Sequence, residues 1–136
     1  MDILWEIEFS DEYLTNVEII DNSHKDLAMR ANKLYEMSTG LNTKEADLVK
    51  YIEESKQALL GHFEEEIALY KKYNLPTVEE HNLKHEEIKN YVNELDLEPH
   101  PILVKAMMMN QIILRYLVQH LYSEDKKCIE MIKKSK

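Results

Sequence analysis

Apolar residues recur along most of this chain in alternating steps of three and four, the spacing of one buried face of an α-helix. The first such stripe is Ile20, His24, Leu27, Ala31 and Leu34, and it stops at Gly40, a residue suited to the position just past a helix end. A second stripe runs Leu48, Ile52, Ser55, Leu59, His62, Glu66, Leu69 and Tyr73, with Pro76 beyond it. Asn42 and Glu45 have the spacing of a capping box for its start, as Thr77 and Glu80 have for the next helix. The third stripe is Val78, His81, His85, Ile88, Val92 and Leu95. After the loop 96–101 a broader face follows: Ile102, Ala106, Met109, Ile113, Tyr116, Leu117, His120, Leu121, Cys128 and Ile132. Residues 1–18 show no sustained period and read as an irregular arm that packs Trp5 and Phe9 on the body. The pattern predicts an all-α chain with helices over about 18–39, 43–73, 78–95 and 102–133. Short connections make it an up-down-up-down antiparallel four-helix bundle, a single domain spanning 1–136.

Composition sharpens this picture. Two glycines and three prolines in 136 residues leave little punctuation, which favours a few long elements. A formal charge of −9 argues against nucleic acid or an anionic membrane surface as a partner. The start, MDILWEIEFSDEY, is acidic where a secretory leader is basic, and polar residues interrupt the most apolar region, 106–121. A single cysteine, Cys128, excludes an internal disulfide. A cytoplasmic protein is expected, with no further domain beyond Lys136.

The polar residues on the apolar stripes are the unusual feature. One histidine on such a stripe is ordinarily a hydrogen-bonded core residue, but here four stripes carry five histidines together with Glu66. A buried carboxylate with no cation costs several kcal/mol, so this accumulation points to a metal ion that uses the imidazole lone pairs. The pairs His62/Glu66 and His81/His85 are each four residues apart and so share a helix face. Spacing alone leaves Asp125, five residues after His120, open between a ligand and a solvated acid beside Glu124. His100 reads as a surface residue, and Cys128 and Met107–Met109 as packing.

The sequence HNLKH lacks the Glu of a zinc peptidase helix, and no histidine follows a Glu by three as in ferritin-like sites. Five imidazoles and two carboxylates exceed one ion's needs and suit two. Bridging carboxylates and a shared oxo or hydroxo group would leave one position open, which suits iron and a small diatomic ligand.

In this arrangement the chain resembles the hemerythrin family, and in particular its bacterial single-domain members. The family pattern is His on the first helix, HxxxE on the second, HxxxH on the third and HxxxxD on the fourth. His24, His62 with Glu66, His81 with His85, and His120 with Asp125 match it in order, and FSDEYLTNVEIIDNSHKDL is similar to the approach to the first helix. The resemblance implies that His81, His85 and His120 hold a saturated iron and that His24 and His62 hold the iron that takes dioxygen. It likewise implies that Glu66 and Asp125 bridge, and that Leu27, Phe63, Tyr116 and Leu121 line the oxygen pocket. Tyr116 departs from the family, which commonly has Trp there.

The expected function is therefore reversible dioxygen binding at a di-iron centre, for carriage, storage or delivery, with other small diatomic or anionic ligands also admitted. The alternatives are an oxygen or redox sensor acting through a partner, and an enzyme reducing peroxide or nitric oxide at the same centre. Two places are open to the Tyr116 hydroxyl: a backbone carbonyl, or the open coordination position.

Overall fold

The computed structural model describes residues 5–8, 18–40, 43–73 and 78–118, leaving aside the side chains of Ile19, Val78, Glu80 and His81. These residues form four helices: α1 Glu18–Thr39, α2 Glu45–Lys72, α3 Val78–Leu97 and α4 Ile102–Arg115. The helix continues beyond Arg115 as a wider π-type turn at 116–118. α1 packs on α2 and α4, and α3 closes the ring against α2 and α4. The all-α, antiparallel four-helix bundle expected from the stripes is the fold. No described helix is long and apolar enough to cross a membrane.

The stripes are the core. Ile20, Leu27, Ala31, Leu34, Leu48, Leu59, Leu95, Ala106, Met109 and Ile113 are all buried, and Ile52, Ile88 and Val92 nearly so. One segment departs from expectation. Leu69 and Tyr73 are only half-buried, and Tyr70 lies in the core instead. Four residues past Glu66 is about 40° off the face, whereas three is about 60° off, so Tyr70 is the better continuation of a straight helix.

Helix ends follow local chemistry, with two corrections. α2 starts at Glu45 behind Lys44, whose side chain makes no cap bond. Glu45 is thus the first helical residue rather than the third; Asn42, the other half of the expected capping box, lies outside the described residues. Glu45 and Asp47 instead place negative charge at the positive end of the helix dipole. Gly40 does follow the last residue of α1, but without left-handed backbone. A Cβ there would lie 3.2 Å from the Glu36 carbonyl oxygen and from Thr43 Oγ1, so close approach is what favours glycine. The pairing of Thr77 with Glu80, and Phe9, Cys128 and the stretch 119–133, lie outside the described residues.

The arm packs as expected at Trp5, which stacks on Tyr35 at 5.7 Å. Ile7 exchanges two 2.8 Å hydrogen bonds with the Asn32 side chain. Buried Asn110 donates to the Trp5 carbonyl at 2.8 Å and to the Ala31 carbonyl at 2.7 Å, tying arm, α1 and α4 together.

Candidate metal centre

His24, His62, Glu66 and His85 gather at one end of the bundle, where α1 and α3 begin, α2 finishes and the described part of the last helix runs past Arg115. His24 comes from the second turn of α1, and His62 and Glu66 from consecutive turns near the end of α2. All three are buried, Glu66 completely. Their ligand atoms lie within 4.8 Å of one another, a little over twice a metal–donor bond of ~2.1 Å. His62 Nε2 contacts Glu66 Oε1 directly, and His24 Nε2 lies 3.9 Å from that oxygen. The imidazoles of His24 and His62 meet edge-on at 4.5 Å.

Two phenols complete the cluster. Tyr70 donates to Glu66 Oε2 at 2.6 Å. The Tyr116 hydroxyl donates to Glu66 Oε1 and lies 2.6 Å from His62 Nε2. The expected alternatives were a backbone carbonyl and the open coordination position; the hydroxyl touches the side-chain donor atoms of Glu66 and His62. Hydrogen bonds to a charged group contribute ~1.5–3 kcal/mol each, enough to offset much of the carboxylate's desolvation. Tyr70 was not anticipated, because the stripe was extended through Leu69 and Tyr73. The i+4 row His62, Glu66, Tyr70 was the available signal.

Electrostatics suit a cation. Burial is the largest influence on His24 and, with His62 nearby, outweighs the pull of Glu66, so its pKa falls below the ordinary histidine value. A neutral imidazole offers its lone pair. Two nitrogen donors and a carboxylate in a buried pocket form a nitrogen-and-oxygen set that fits a first-row transition metal and not a thiolate-seeking one.

The other expected residues divide into two groups. His85 is buried on α3, stacked face to face on Phe63 at 4.2 Å, and among the described residues it is not one of the converging donors. Phe63 lies 5.1 Å from the Tyr116 ring, and Leu27 is buried one turn after His24. The His81 side chain, His120, Leu121 and Asp125 lie outside the described residues. Glu64 and Glu65 are exposed, as their position off the stripe implied, and Glu65 accepts from Ser23 at 3.0 Å. His100 is partly exposed and meets Glu98 at 3.1 Å. Met109 is core, whereas Met107 and Met108 line a surface cavity of about 320 Å³ between α3 and α4. No family model, curated protein or solved structure matches this chain.

Proposed function

We propose that this chain is a hemerythrin-type protein that binds dioxygen reversibly at a di-iron centre, held by His24, His62, Glu66, His81, His85, His120 and Asp125. One observation carries the reading: His24, His62 and Glu66 converge in a buried pocket of a four-helix bundle, each from the helix the pattern requires. Two iron ions there would supply the electrons and the open coordination position that dioxygen binding needs. The chain's own residues do the rest. Leu27 and Phe63 present apolar surface that excludes water, Tyr70 fixes the orientation of the Glu66 carboxylate, and burial keeps His24 neutral.

Tyr116 favours a second reading. A phenol touching the donors is a proton source, which reduction of peroxide or nitric oxide requires and simple carriage does not. Iron-loaded protein, reduced anaerobically and then cycled between air and vacuum, separates the two by absorption spectroscopy. Carriage requires uptake of one O2 per iron pair and full release over repeated cycles. Irreversible oxidation on first exposure, with turnover of added peroxide or nitric oxide, would establish the enzyme reading instead.

A further inference from the structure

The seven-residue ligand set leaves out a hydroxyl that sits among its donors. Tyr116 is completely buried, and its oxygen reaches both His62 Nε2, at 2.6 Å, and Glu66 Oε1. Those are the atoms through which His62 and Glu66 meet, and His24 Nε2 is 3.9 Å from the same oxygen. Four donor atoms, from α1, α2 and the end of α4, therefore face one another. Tyr70 differs, because it approaches Glu66 through Oε2 and so orients the carboxylate from outside. The backbone carries a second sign. The described helix takes up π-type geometry from Tyr116 onward, and π-type turns recur at functional sites.

We propose that Tyr116 is itself a metal ligand, its phenolate oxygen binding the ferric ion held by His24, His62 and Glu66. The proposal rests on the iron reading above and adds a regulation to it. Phenolate is an anionic oxygen donor, and tyrosine is an established ligand of haem iron. Ligation would break the phenol O–H bond, form an O–Fe bond and release the proton to solvent, with no change of oxidation state. One-electron reduction of that iron by an external reductant would break the O–Fe bond and return a proton from solvent to the phenol, whose hydroxyl would again bond Glu66 and His62. Tyr116 thus closes the position to small exogenous ligands in the ferric state and opens it in the ferrous state.

The test uses the whole chain, loaded anaerobically with ferrous ion and then oxidised with ferricyanide, in ordinary and ring-deuterated tyrosine forms. The expected result is a phenolate-to-iron charge-transfer band in the visible, with resonance Raman ring modes of coordinated tyrosinate that shift on deuteration. Dithionite bleaches the band. With spectra scaled to bound iron, Tyr116→Phe removes band and modes while far-UV circular dichroism stays at the parent level, and Tyr70→Phe retains both. Iron-loaded parent protein without tyrosinate modes would overturn the proposal and leave the iron reading standing, as would modes that survive in Tyr116→Phe. A chain that takes up no iron would overturn the iron reading, and the proposal with it.

Discussion

The two ends of this bundle are built on opposite principles. Where α1 and α3 end and α2 and α4 begin, the core is Leu34, Leu48, Ile52, Leu95 and Ala106. Among the described residues its buried cation, Lys56, reaches out to solvent-exposed partners, at 2.9 Å from both Asp96 oxygens and from Glu53. At the other end a fully buried carboxylate is held by two phenols and two imidazoles. The first end buries apolar surface and gains stability from it. The second buries polar groups whose mutual attraction barely offsets their desolvation, an arrangement suited to a metal ion that draws on it. On the function proposed above, stability and function separate along the bundle axis.

The largest effect that would break this separation is on stability. Leu59→Ala, in the apolar column between the ends, should cost ~2–5 kcal/mol by urea unfolding, with or without metal. Replacing His24, His62 and Glu66 by leucine together with Tyr70→Phe and Tyr116→Phe, so that no buried hydroxyl loses its acceptor, should instead stabilise the metal-free chain by ~1–4 kcal/mol while abolishing metal uptake. A combined variant as damaged as Leu59→Ala would show that the polar end is structural.

A smaller effect is on pH dependence. Because burial lowers the His24 pKa, the unfolded chain binds a proton more readily than the folded one. Metal-free protein should hold its stability above the ordinary histidine range, near ~6.5, and lose it progressively as pH falls below that. His24→Leu should flatten this slope. A parent chain equally stable at neutral and mildly acidic pH would contradict the assignment.

The smallest effect belongs to the apolar end. Burial pulls the Lys56 pKa down, but Asp96 and Glu53 outweigh it and hold the ammonium above its usual value. Its contribution is thus present at neutral pH and is lost only as pH rises through that elevated pKa. Asp96 and Glu53 are more than half exposed, so the attraction is screened. Lys56→Met should cost about 1 kcal/mol or less, and less still in high salt. A cost matching that of Leu59→Ala would mean that this end also depends on buried charge.

The same contrast decided what could be read from the sequence. The apolar positions were legible because burial follows helical period: Ile20, Leu27, Ala31 and Leu34 are all buried, and α1 ends at Thr39, just before Gly40. Period also placed His24, His62 and Glu66 on one interior. What it could not supply was the partner of each polar atom. A heptad count, carried past Glu66, selected Leu69 and missed Tyr70, because a straight helix drifts by ~20° per seven residues. Spacing put Tyr116 on the ligand face but left its hydroxyl's partner open, since that depends on where α2 lies against α4. The cap of α2 was misplaced as well. Asn42 offers cap chemistry, whereas Lys44, which precedes the first helical residue, offers none.

If the polar end holds iron, as proposed above, the metal content of the protein shows it most directly. Protein purified from iron-replete cells without chelator should carry about two irons per chain by elemental analysis, the number that an imidazole-rich set of seven ligands suits. Glu66→Ala should lose at least ~10-fold in iron affinity, given that even outer-shell changes cost ~10–100-fold. Stoichiometric zinc with negligible iron in the parent chain, or iron content untouched by Glu66→Ala, would contradict the account.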